Sequence, residues 1–222
     1  MTVGKMHPAT AAILAMSKLR RAMGADQSGM AMVEFALSLP FLVALTMGGA
    51  EAANLAFAHQ KLGDMATLAA DSVSRVRVGI GEGDVTDALT GVKLMGDAIK
   101  FRNNGRIIIS SLQPIVDGSG NVTDEKIRWQ RCSGALNATS SYGVQSASLG
   151  TTGMGPTGRK IAAAPDTEMI FVEIRYTYQP LISNSFLGTQ NLSAIASMVV
   201  RERSSNDIQN VGTASPCSTF SA

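Results

Sequence analysis

Charge is scarce in this chain. Only 16% of its 222 residues are Asp, Glu, Lys or Arg, against ~25% in an average soluble domain. The net charge is just +2, which excludes a polybasic nucleic-acid binder, because such a protein carries clustered excess cations. Aromatics reach 5%, and there are two histidines, His7 and His59, and two cysteines, Cys132 and Cys217. With so few candidates and no CxxC pair, neither a zinc set nor a nucleophile–base triad can be assembled. The stretch Gly153-Met154-Gly155-Pro156-Thr157-Gly158-Arg159-Lys160 is glycine-rich, yet it lacks the Gly-Lys-Ser/Thr ending of a phosphate loop and follows no clear strand. The chain is therefore read as no enzyme, with no cofactor and no metal. Its length allows one domain, or one domain plus an attached segment. A mean hydropathy of +0.13 with so little charge points to a part that sits in lipid.

The charge that is present is unevenly placed. Residues 1–29 carry Lys5, Lys18, Arg20 and Arg21 against Asp26, a net of +3, which leaves −1 for the remainder. Glu34 and Glu51 then bracket 16 uncharged residues, Phe35 to Ala50. From Met30 to Ala50 the segment is apolar or small apart from Glu34, Ser38 and Thr46, long enough for a spanning helix of ~20 residues. A secretory signal peptide is the competing reading, with Ala50, Ala52 and Ala53 imitating a cleavage site, but its apolar core would run only ~7–15 residues. Cations before the segment and Glu51 after it place the N-terminus in the cytoplasm and the rest outside. Both cysteines lie downstream of the segment, and an even count in an exported domain suggests one disulfide, Cys132 to Cys217, with two buried free thiols as the alternative.

Gly29-Met30-Ala31-Met32-Val33-Glu34 is a glycine, four apolar residues and a glutamate. It resembles the processing site of prepilins, where a membrane peptidase cuts after the glycine. The likeness implies a cut between Gly29 and Met30, a basic leader left in the cytoplasm, and Glu34 as the fifth residue of the mature chain. A carboxylate inside a membrane segment is costly and tends to be functional; Glu34 could neutralise the new Met30 ammonium of a neighbouring subunit as helices bundle. The wider stretch, with Ser28, Gly29, Val33, Glu34, Phe35, Ala36, Pro40 and Glu51 in place and an alanine-rich continuation, is similar to the TadE-like family of tight-adherence (Flp-type) pilus assembly proteins. A cysteine near Trp129 and a late strand at Glu173–Leu181 add a looser likeness. The resemblance implies a minor pilin or pseudopilin, with Glu34 and Phe35 in assembly, and with a prepilin peptidase, other pilin-like subunits and the inner-membrane assembly platform as partners.

Downstream of the span, Leu55, Leu62, Met65, Ala69, Val73 and Val76 recur at helical spacing, and Gly79-Ile80-Gly81-Glu82-Gly83 ends the pattern. Pro40 removes one backbone hydrogen bond and is expected to kink the helix. Asp84 is expected to cap a second helix along Val85, Leu89, Val92 and Ile99, ended by Asn103-Asn104-Gly105. Strands are expected at 106–116, 126–131, 169–179 and 192–201, the first two forming a hairpin through Asp117–Asn121. Residues 133–158, rich in Gly, Ser and Thr, read as a surface excursion, and the tail after Ser204 as loose unless a disulfide ties it.

The expected architecture is α+β and pilin-like, a long N-terminal transmembrane helix with a small antiparallel-sheet exterior domain. Its parts are a cleaved leader at 1–29, the spanning and extended helix at 30–78, the exterior domain at 79–204 and a tail at 205–222. The expected location is the bacterial inner membrane, single pass, with the C-terminal domain periplasmic or carried into a pilus. The alternative is an uncleaved single-span protein whose exterior domain binds or scaffolds.

Overall fold

The computed structural model describes residues 8–25, 28–182 and 188–221; Lys5, His7 and Asp26 of the expected leader lie outside them. The chain forms two compact units, Met1–Ala50 and Glu51–Ala222. In the first, helix α1 runs Pro8–Ala25, opening on a proline whose missing N–H costs nothing at a helix start. Helix α2, Ser28–Ser74, begins in this unit and continues through Pro40. Pro40 has no N–H to donate to the Ala36 carbonyl; elsewhere on this stretch Ser38 donates to the Phe35 carbonyl at 3.0 Å and Thr46 to that of Leu42 at 2.9 Å.

The second unit is α+β. After α2 come α3 (Glu82–Met95), a 3-10 turn (Asp97–Ile99) and the single turn α4 (Phe101–Asn104). Four strands follow, β1 (Gly105–Val116), β2 (Val122–Ser133), β3 (Met169–Thr177) and β4 (Asn191–Val199). They make one antiparallel sheet in the order β2-β1-β3-β4. The β1–β2 hairpin closes as expected, because the Asp117 carboxylate accepts from the Ser119 and Asn121 amides at 2.8 and 3.0 Å.

Alternation along the strands gives the sheet two apolar faces. One face, with Ile107, Ile109, Ile170, Val172, Ile174 and Tyr176, meets the helical stripe of Leu62, Met65, Ala66, Ala69 and Val73. The stripe read from the sequence is thus the buried side of α2 from Leu62 to Val73, with Leu55 partly buried against the core and Val76 beyond the helix end. The other face, with Leu112, Ile127, Met169 and Phe171, is covered by Met154, Ala163, Tyr142, Leu149 and Ile161. The region read as a surface excursion is therefore a lid on the second core. Residues 146–149 also line the outer side of edge strand β2: Ser146 donates to the Ile127 carbonyl at 2.7 Å and Leu149 to that of Glu125 at 2.8 Å.

The helix boundaries also differ from expectation, for local reasons. α2 stops at Ser74, before the glycines, because its last carbonyls find partners from the segment after β4. Arg203 donates to the carbonyls of Val76 and Val73, and the Arg201 amide to that of Ser74 at 3.3 Å. α3 is capped by Gly81 rather than Asp84, whose carboxylate accepts the Gly81 amide at 2.8 Å. It ends at Gly96, where a Cβ would lie 2.6 Å from that of Phe101 and 2.8 Å from the Met65 methyl. Only glycine lets Phe101 close onto α2 there, so the single helix expected over this region divides into α3, the 3-10 turn and α4.

The tail is laced to the domain. Cys132 and Cys217 form a disulfide, the Gln209 amide donates to the Ile80 carbonyl at 2.7 Å, and the Gly83 amide to that of Val211 at 2.8 Å. Arg106 on β1 is fully buried. Its guanidinium donates to the carbonyls of Gly134, Thr219 and Cys217 at 2.9, 2.6 and 2.8 Å and lies 4.2 Å from the Phe220 ring centre. Burial pulls its pKa below the usual arginine value, and the three carbonyls with the ring face stand in for the missing acid.

Candidate functional site

In the first unit, the residues singled out from the sequence share the opening turns of α2. Gly29, Met30, Glu34 and Phe35 are all exposed, and a Cβ on Gly29 would meet nothing within 4 Å. Met30 and Glu34 are one helical turn apart, the i,i+4 spacing that brings side chains onto one face. Among the described residues, Glu34 has no hydrogen-bond or ion-pair partner. Every residue from Gly29 to Ala50 is exposed, including Phe41 at 77% and Leu45 at 75%. The stretch is long and apolar enough to cross a membrane. Monomers in water rarely expose contiguous apolar surface on this scale.

In the second unit the notable acid is Glu51, the first charge after the uncharged run. It is 6% exposed and sits in a built socket. The Tyr178 hydroxyl donates to its carboxylate at 2.6 Å, and the backbone amides of Leu181 and Ile182 donate to the other oxygen at 3.0 and 3.3 Å. Asn54, one turn along α2, donates to the Tyr178 oxygen at 2.6 Å. Burial, followed by the hydrogen bond to Glu51, pushes the Tyr178 hydroxyl from 10.0 up to about 12. The unfolded chain therefore gives up this proton first on alkalinisation, and the fold loses stability as pH rises from ~10 to ~12. Tyr178→Phe is expected to flatten that alkaline loss, leaving the part due to the buried Tyr176. It should also cost roughly 1–3 kcal/mol near neutrality, because a buried carboxylate loses its donor. Thermal melts of both proteins across this range check it; an unchanged alkaline slope would remove Tyr178 as the source.

Residues 29–71 match the family described as TadE-like protein. This segment is TadE-like. The match starts at Gly29, takes in Glu34, Phe35, Pro40 and Glu51, and stops short of the end of α2. No curated protein and no solved structure gives a significant match, so the sheet domain beyond the TadE-like segment rests on its own geometry.

That domain adds polar groups the sequence did not single out. Glu82 at the start of α3 receives a two-pronged donation from Arg131 on β2, one arm at 2.7 Å, with side chains only 3% and 13% exposed. Glu168 accepts from Ser111 at 2.5 Å and from Arg128 at 2.9 Å, and its pKa is raised, chiefly by burial. Arg128 is the extra residue of a β2 bulge, skipped between the pairs Ser111–Trp129 and Leu112–Ile127. The bulge aims it at Glu168 rather than along the ladder. These groups hold strands, helix and tail together. His59 is exposed on α2, away from either cysteine in the chain.

Proposed function

We propose that this protein is a minor pilin or pseudopilin needed to assemble a tight-adherence pilus, and that it acts by assembly, not catalysis. A prepilin peptidase cuts it after Gly29 and leaves Met30 as the mature N-terminus. The observation that carries the reading is the TadE-like match beginning at Gly29 on a helix whose only carboxylate before Glu51 is the unpartnered Glu34. In hydrocarbon an isolated carboxylate is expensive. Cleavage supplies the missing cation, because the new Met30 ammonium lies at the i,i+4 spacing from Glu34 and can reach the same residue of a neighbouring helix. The basic residues Lys18, Arg20 and Arg21 keep the leader in the cytoplasm. The sheet domain then stands on the periplasmic side of the inner membrane, where its disulfide is stable. Other pilin-like subunits and the inner-membrane platform are its partners.

Two outcomes test this. N-terminal sequencing and intact mass of protein from native membranes are expected to begin at Met30, and Gly29→Ala is expected to abolish that shortening. Glu34→Ala is expected to be cut normally and to fail in piliation. Retention of residues 1–29 in cells with an active peptidase would instead leave an uncleaved single-span scaffold. Full piliation by the Glu34 variant would end the charge-pairing role.

A further inference from the structure

The socket around Glu51 also disposes of the turn that follows β3. We propose that Leu181 and Ile182 form a second, shallow contact with the phospholipid surface, beside the point where α2 leaves it. The proposal rests on the reading of Phe35–Ala50 as the span.

Three observations carry it. The first is position. The amides of Leu181 and Ile182 both donate to the Glu51 carboxylate, and Glu51 directly follows the uncharged run in the chain. The turn is therefore held one hydrogen bond from the first charged residue after the uncharged run. The second is exposure with satisfied backbone. Leu181 is 65% and Ile182 43% exposed, and consecutive large apolar side chains on a turn are natural interfacial anchors. A turn entering the boundary of a bilayer must bring no orphan donors, and here both amides are bonded to an acid that Tyr178 also serves. The buried carboxylate thus has a purpose beyond helix anchoring: it silences the donors of a segment bound for a poorly hydrated zone.

The third is charge. A cavity of about 210 Å³ opens beside the turn, lined by Asn54, Ala58, Lys100, Tyr178, Pro180 and Leu181 among others. Lys100 is exposed, holds a left-handed backbone at φ 55°, and has no acidic partner among the described residues. An ammonium next to two apolar prongs suits lipid phosphates at the headgroup level, with the prongs just below.

The test uses the full chain reconstituted into phosphatidylcholine–phosphatidylglycerol vesicles carrying bromines either near the headgroup or deep in the acyl chains. Trp129 is the only tryptophan and is buried, so the wild type supplies the baseline. Leu181→Trp, and separately Ile182→Trp, should show blue-shifted emission with greatest loss of intensity to shallow bromines. Leu42→Trp should be quenched most by deep bromines, and Val144→Trp, on the remote loop, not at all. A thermal melt matching the wild type certifies folding of each variant. If Leu181→Trp and Ile182→Trp both behave like Val144→Trp while Leu42→Trp is quenched, the span stands and the second contact is overturned. If Leu42→Trp is itself unquenched, the span reading fails and takes the proposal with it.

Discussion

Replacing both Cys132 and Cys217 by serine is expected to lower the stability of the sheet domain by about 4–5 kcal/mol. The bond closes a loop of 85 residues, and in the chain-entropy model its main effect is to restrict the unfolded chain. The structure adds a second reason. Two of the three carbonyls that receive the Arg106 guanidinium belong to Cys217 and Thr219, so a freed tail would leave a buried cation short of acceptors, at a further cost of a few kcal/mol at most. For a domain of this size each kcal/mol moves the melting midpoint by roughly 2–4 °C, so a fall of about 10–20 °C is expected. Melts of the full chain in detergent, oxidised, reduced and doubly substituted, measure it. A midpoint within about 2 °C of the wild type would show that lacing by hydrogen bonds alone holds the tail.

Glu82→Ala should be nearly as damaging. It removes one partner of a buried fork and leaves the Arg131 guanidinium, only 13% exposed, without its acid. Breaking such a pair typically costs about 3–5 kcal/mol, while replacing both partners by apolar residues of similar volume is often close to neutral. Glu82→Leu combined with Arg131→Met is therefore expected to recover most of the loss. Denaturant midpoints of the two single variants and the double variant separate these outcomes. A single-variant loss under about 1 kcal/mol would put the pair with exposed surface bridges and remove it as the clasp between α3 and β2.

The contrast between these two features shows how legible the molecule was. The disulfide was readable because only two cysteines exist, and both lie downstream of the long apolar stretch. The long apolar helix and the apolar stripe of α2 were readable because each is a local pattern of charge or periodicity. The four strands were readable from β-branched runs, although the strand order, with β1 between β2 and β3, was not. The Glu82–Arg131 fork joins residues 49 apart and the Glu51–Tyr178 bond residues 127 apart. No spacing rule connects positions so distant, and each residue alone looks like an ordinary surface charge or strand aromatic. The lid at residues 134–168 escaped for a different reason. Its apolar anchors, Tyr142, Leu149, Met154 and Ile161, fall at irregular intervals among Gly, Ser and Thr. A segment that covers a core without regular structure leaves no period to detect. Gly96 was invisible as a helix end because its reason is Phe101 and Met65 packed against it, one of them far away in the chain.

Arg106 has a consequence for timing. It stands at the head of inner strand β1, yet two of its three carbonyl acceptors arrive 111 and 113 residues later. At ~5–20 residues per second of synthesis, a nascent chain carries that cation with only the Gly134 carbonyl of its three acceptors for roughly 6–23 s. The hairpin of β1 and β2 can form early, but the sheet cannot be sealed at its head until the far segment has emerged and looped back. Completion of this domain is thus coupled to delivery of the whole segment. Any machinery that handles the protein beforehand meets an open sheet with a charged residue at the head of β1.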